Sequence, residues 1–152
     1  MQMTITAKVI CDSQPKIGTR ITTLELEYPR FIHSEFMTHR MFSRNASSSR
    51  AIPVAKMIQA VIDNPAMPIH WGKNQSGMQA REELDDSAQE SVERLWLDAR
   101  DCAVQLAKEM SDFGAHKQIV NRILEPFTHI RVIVTATNFA NFFALRDHED
   151  AQ

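Results

Sequence analysis

Apolar and polar positions along the chain change period several times, and each change marks an element. Residues 5–11 and 20–28 alternate in the manner of strands. In the second, Arg-Ile-Thr-Thr-Leu-Glu-Leu-Glu-Tyr, the apolar Leu24, Leu26 and Tyr28 fall on one face. The intervening Asp-Ser-Gln-Pro-Lys-Ile-Gly-Thr reads as a turn. Pro29 suits the opening of a helix predicted over 30–40. Pro53 starts another, through 63, with Val54, Met57, Ile58 and Val61 spaced for a buried face. Residues 64–85 hold Asn-Pro, Met-Pro and Gly-Lys-Asn-Gln-Ser-Gly and form an irregular excursion, of a length uncommon unless functional or mobile. The clearest helix covers 87–112. Ser87 and Glu90 form a capping box, Val92, Leu95, Trp96, Ala99, Ala103, Leu106 and Met110 form one apolar stripe, and Gly114 closes it. A short helix over 115–124, a strand over 128–137 and a helix over 138–148 complete the chain. The order ββααααβα predicts an α+β domain, a small, mainly antiparallel sheet packed with several helices.

The 152 residues suit a single domain with one real core, and a hydrophobic content of 43% with 24% charged residues is that of an ordinary globular protein. The net charge of -2 hides an asymmetry. Residues 30–50 carry Arg30, Arg40, Arg44 and Arg50 against Glu35 alone, while residues 81–101 are strongly acidic. The basic part is therefore a local site, not a surface for a nucleic acid polymer. Cys11 and Cys102 are distant and outside any paired Cys/His spacing, so neither a disulfide framework nor a metal site is expected. The N-terminus has no signal-peptide pattern and no apolar run is long enough to span a membrane; a cytoplasmic protein is expected.

Residues 38–50, Thr-His-Arg-Met-Phe-Ser-Arg-Asn-Ala-Ser-Ser-Ser-Arg, lack any carboxylate. Three arginines, a histidine and several hydroxyls in a turn-forming segment suit an anion, since guanidinium forks match phosphate oxygens in pairs. A solvated basic loop is the bland alternative. Glu35 and His39 lie four apart on the predicted helix, where the carboxylate could orient the imidazole and raise its pKa, or simply form an exposed ion pair. Ser48 is a candidate nucleophile without a visible base, or a hydroxyl donor in the anion site. Arg122 ends a short helix. Arg146, in Asn-Phe-Phe-Ala-Leu-Arg, is framed by apolar residues and could stabilise an anion developing on a substrate, or could answer a helix dipole.

Together these residues resemble the flavin-dependent thymidylate synthases, the thymidylate-synthase-complementing family. The family signature reads Arg-His-Arg, two residues, Ser, one residue, Asn-Glu, one residue, Ser, one residue, Arg-Tyr. His39, Arg40, Ser43, Asn45, Ser48 and Arg50 match it with the same spacing. Asn121-Arg122-Ile123-Leu124-Glu125-Pro126 is similar to the family's Arg-(hydrophobic)-Val-Leu-Pro element. Asn141-Phe142-Phe143-Ala144-Leu145-Arg146 and Ala151-Gln152 are similar to its Asn-Phe-Leu-x-Leu-Arg and Ala-Gln elements. Thr38, Ala46 and Ala51 replace signature Arg, Glu and Tyr, and Glu35 stands where a Gln often precedes the signature. Thr135-Ala136-Thr137 stands for Asn-x-Arg, and Asp150 for a His.

The resemblance implies reductive methylation of dUMP to dTMP, with carbon from methylenetetrahydrofolate and reducing power from NADPH through FAD. By resemblance His39, Arg40 and Asn141 contact FAD. Ser48, Arg50 and Arg122 bind dUMP, and Arg146 contacts the uracil and favours its ionised N3. A homotetramer with sites shared between subunits is implied, as is a single domain over 1–152 without the family's C-terminal helical segment; a virus-encoded protein would work in the host cytoplasm. Two alternatives stay open: related flavin-folate chemistry on another pyrimidine nucleotide, and an inactive nucleotide-binding relative.

Overall fold

The computed structural model describes residues 5–77 and 79–148. Among these residues four strands, β1 (Thr6–Ser13), β2 (Ile21–Pro29), β3 (Ser43–Ala46) and β4 (His129–Ala136), form one antiparallel sheet in the order β1-β2-β4-β3. The expected α+β class and antiparallel sheet are as observed. The alternation in β2 works as predicted: Leu24, Leu26 and Tyr28 stand directly opposite Val134, Val132 and Ile130 of β4. These cross-strand apolar pairs share one face and one core. Among the described residues five helices accompany the sheet: α1 (His33–Met37), α2 (Val54–Asp63), α3 (Asp86–Asp112), α4 (Lys117–Leu124) and α5 (Ala140–Arg146).

Among the described residues two apolar cores form, on either side of the basic segment. One lies on the sheet, where Tyr28, Phe36, Phe42, Ile130, Val132 and Val134 are buried and Phe139 and Phe142 pack on them. The other is helical: Met57, Ile58 and Val61 of α2, Val104 and Ala107 of α3, and Val120 and Leu124 of α4, closed by Phe127. The excursion over 64–85 is tied to the helical core by Trp71, buried edge-on against Trp96, whose indole N–H donates to the Ala66 carbonyl at 3.0 Å.

Four local expectations change. The helix predicted over 30–40 is a 3-10 turn, Arg30–Ile32, followed by the short α1, and it stops before His39. The basic stretch contains β3, which its Ser, Arg and Asn residues did not advertise; pairing of Ser43–Ala46 with β4 creates it. The cap of α3 is Asp85, accepting from Ala88 N at 2.9 Å, not a Ser87–Glu90 box. The buried face of α3 is rotated from the predicted stripe: Trp96, Ala103 and Met110 pack inward, but Leu95 and Leu106 are 61% and 48% exposed. The line along which α2 and α4 cross α3 selects the face, and it runs through Val104 and Ala107.

Candidate active site

β3 lays the basic stretch along the sheet edge, and its continuation turns away over α4. Ser47 closes the strand twice against Arg131, its N–H donating to the Arg131 carbonyl at 2.9 Å and its Oγ accepting from Arg131 N at 3.2 Å. A 3-10 turn, Ser49–Ala51, follows. Its backbone is held from several sides. Fully buried Asn121 donates through Nδ2 to the Ser49 and Ile52 carbonyls at 2.8 and 2.9 Å, and Lys117 Nζ donates to the Ala51 carbonyl at 3.3 Å. Arg30 Nη2 donates to the Ser47 carbonyl at 3.2 Å, and Ser49 Oγ donates to Glu125 Oε1 at 2.5 Å. The side chains of Ser48 and Arg50 are left exposed, with no protein partner among the described residues.

This anchoring brings Arg50 beside Arg122 of α4. The two arginines line one open groove of about 390 Å³, with Gln118 on its wall and Met110, Ile119 and Ile123 supplying apolar surface. Glu125 lies 3.4 Å from Arg122 Nη1 and 4.0 Å from Arg30 Nη1. Three guanidiniums against one carboxylate leave an excess of positive charge, the condition for holding a phosphate. The Ser48 hydroxyl is exposed and has no base beside it among the described residues, which leaves it free to donate to a bound anion.

A second cluster forms where α5 closes over the sheet core. Phe142 meets the His39 ring edge-on at 4.8 Å, and Phe139 and Phe142 pack on Phe42. This sets Arg146 so that its Nε donates to His39 Nε2 at 3.1 Å and its Nη2 to the Glu35 carbonyl at 3.2 Å. An imidazole that accepts at Nε2 is neutral and carries its proton on Nδ1. Burial, then the charges of Arg146 and Arg44, hold the His39 pKa below the usual imidazole value. The expected Glu35–His39 pairing does not occur: α1 ends at Met37, the Glu35 carboxylate accepts from Ser34 Oγ at 3.1 Å, and the His39 pKa moves down, not up.

Arg44 is likewise no anion ligand. It donates to the carbonyls of Met37, His39 and Phe42 and knits the loop to itself. Arg40 and Asn141 are exposed, and neither side chain has a protein partner among the described residues. Of the predicted site residues the structure brings two pairs together, Arg50 with Arg122 on the groove and His39 with Arg146; Ser48 adjoins them only through the turn that carries Arg50, and Arg40 and Asn141 stand apart from both pairs. Asp150, Ala151 and Gln152 lie outside the described residues.

Arg30, Ser49, Asn121 and Glu125, which build the turn, are not among the residues expected from the sequence to form the site. A signal for Glu125 existed: it is the sole acid between Asp112 and Asp147, and the neighbouring stretch 36–62 has none.

A family model described as thymidylate synthase complementing protein matches residues 20–152. No sequence among the curated proteins matches the chain. Among solved structures, the UMP/dUMP methylase PolB from Streptomyces cacaoi bound with 5-bromo-UMP superposes with a TM-score of 0.77 at 18% identity, covering 98% of this chain and 80% of that one. The same methylase bound with 5-bromo-dUMP gives 0.65 at 20% identity, covering 86% and 56%. At such identities the likeness is one of fold. The family match, which takes in everything from β2 onward, is one of sequence, and by it the chain belongs to the thymidylate synthase complementing protein family.

Proposed function

We propose that this protein methylates dUMP reductively to dTMP, drawing carbon from methylenetetrahydrofolate and reducing power from NADPH through FAD. The observation that carries this reading is the meeting of Arg50 and Arg122, remote in sequence, on one groove. In the proposal the nucleotide phosphate sits between their guanidiniums and Ser48 donates its hydroxyl to it. The donor types suit FAD: His39 carries its proton on Nδ1, and Arg40, next to it in the chain, and Asn141 of α5 have exposed side-chain donors that no described residue uses. When bound, FAD supplies the hydride chemistry. Arg146 faces the uracil, where its guanidinium stabilises the anion left when N3 loses its proton, raising electron density on the ring carbon that accepts the methyl group. The Nε and Nη2 contacts fix that guanidinium in advance, so little ordering remains on binding.

Among the described residues the His39–Arg146 pair and the Arg50–Arg122 groove share no residue and no hydrogen bond. In the proposal the site is completed by residues of other subunits, as in a homotetramer. UMP is a second substrate reading. PolB, a solved protein with this fold, is a UMP/dUMP methylase, bound in the two structures compared with 5-bromo-UMP and 5-bromo-dUMP.

The test is the visible spectrum of the purified protein after FAD is added and excess removed, followed by turnover of dUMP and of UMP. A retained flavin band with dTMP formation supports the proposal, and turnover of UMP alone favours the second reading. A folded assembly that retains no flavin and turns over neither substrate points to an inactive relative. Arg50→Ala should weaken dUMP binding roughly tenfold or more, the loss expected for a charge-assisted hydrogen bond; unchanged affinity by calorimetry refutes its phosphate role.

A further inference from the structure

We propose that Glu125 is a positioning residue of the nucleotide site: its one carboxylate fixes both the turn bearing Ser48 and Arg50 and the side chain of Arg122. The inference rests on the nucleotide reading given above. Glu125 opens the 3-10 turn that follows α4, which places it between α4 and the Ser49–Ala51 turn. Its own backbone is pinned, since the N–H and Oγ of Thr128 both donate to its carbonyl, at 3.1 and 2.9 Å. Its side chain, 21% exposed, accepts from Ser49 Oγ, pairs with Arg122 and faces Arg30.

Each contact has a consequence for the groove. Ser49 is only 3% exposed, so its hydroxyl needs an acceptor, and Glu125 is the one provided. Fixing Ser49 fixes the exposed residues on either side of it, Ser48 and Arg50. The Arg122 pair is exposed and worth little by itself. Its effect is to restrict a long side chain to rotamers over the groove, so that less ordering is required when an anion arrives. The carboxylate also offsets one of three neighbouring positive charges that would otherwise repel one another, leaving two for a phosphate dianion. No other acid can take its place from the nearby segments, because 36–62 and 113–146 contain only this one.

The experiment compares wild type, Glu125→Ala, Glu125→Gln and Ser49→Ala, with circular dichroism confirming the fold. Calorimetric titration with dUMP should give a Kd about tenfold weaker in Glu125→Ala, through lost preorganisation. Glu125→Gln keeps an acceptor for Ser49 and should recover part of the loss. In turnover KM should rise with kcat nearly unchanged, and Glu125→Ala should cost less in an Arg122→Ala background than in wild type. Trypsin cutting of the Arg50–Ala51 bond, followed by mass spectrometry, reads the order of the turn without any nucleotide and should be faster in Glu125→Ala. A folded Glu125→Ala protein that binds dUMP as well as wild type, or better, overturns the inference, because the carboxylate would then be idle or a competitor of the phosphate. Wild type that binds no dUMP defeats the functional reading instead. The trypsin rate then decides the clamp alone, faster cutting supporting it and equal cutting overturning it. Should Glu125→Ala not fold, Glu125→Gln and Ser49→Ala carry the same comparisons.

Discussion

Replacing Asn121 by alanine tests how the turn is anchored. Asn121 is completely buried, and the Ser49 and Ile52 carbonyls on either side of Arg50 both point at its amide nitrogen. The Ser49 carbonyl keeps a second donor, Ile52 N at 3.2 Å, while no other donor among the described residues reaches the Ile52 carbonyl. Two hydrogen bonds at a net value of about 1 kcal/mol each, plus a penalty of about 1–3 kcal/mol for one carbonyl left unsatisfied, set the gross cost. Against this, Asn121 Oδ1 is itself buried without a partner among the described residues, so truncation also relieves one unsatisfied acceptor of similar size. The net expectation is about 2 kcal/mol of lost stability, or a fall in Tm of about 4–8 °C for a chain of this size. Urea unfolding should show a lower midpoint at unchanged slope. Asn121→Asp should be worse, because a carboxylate oxygen would face both carbonyls. A loss below about 0.5 kcal/mol for alanine, or an aspartate as stable as wild type, would mean that the amide does not hold the turn.

Two further outcomes follow from the second cluster and the histidines. Arg146→Ala should abolish turnover while the fold survives, since Phe139 and Phe142 still pack on Phe42 when the guanidinium's hydrogen bonds to His39 and Glu35 are removed; full activity with an unchanged dichroism spectrum would refute its role. His33, His39 and His129 all have pKa values held below the ordinary imidazole value of 6.5, by burial first in each case. The unfolded chain therefore binds more protons once the pH reaches that range. The stability tied to the neutral rings is present above about pH 6.5 and is lost as the pH falls through the folded-state values. Tm should drop on acidification from about pH 7.5 to about pH 5, and His39→Gln, which can still accept from Arg146 but cannot titrate, should flatten part of that slope. A Tm that does not move over this interval contradicts the neutral-ring assignment.

Much of the architecture was determined by local sequence. Alternation placed Leu24, Leu26 and Tyr28 on one face because the pleat leaves a strand no other choice. Spacing put Met57, Ile58 and Val61 in the core for the same reason in a helix. The family was legible too, since His39, Arg40, Ser43, Asn45, Ser48 and Arg50 at the signature spacing carried the resemblance that the family match bears out. Tertiary structure decided what local pattern cannot encode. β3 exists because β4 offers it an edge, and the buried face of α3 is chosen by the helices that cross it. Whether an arginine is free or spent depended on which carbonyls came near it: Arg44 is consumed by Met37, His39 and Phe42, while Arg50 stays open. The partner of His39 is not Glu35, four residues away, but Arg146 from the far end of the chain. Glu125 gains its place only when α4 docks on the Ser49–Ala51 turn, a contact between segments whose separation no local periodicity spans.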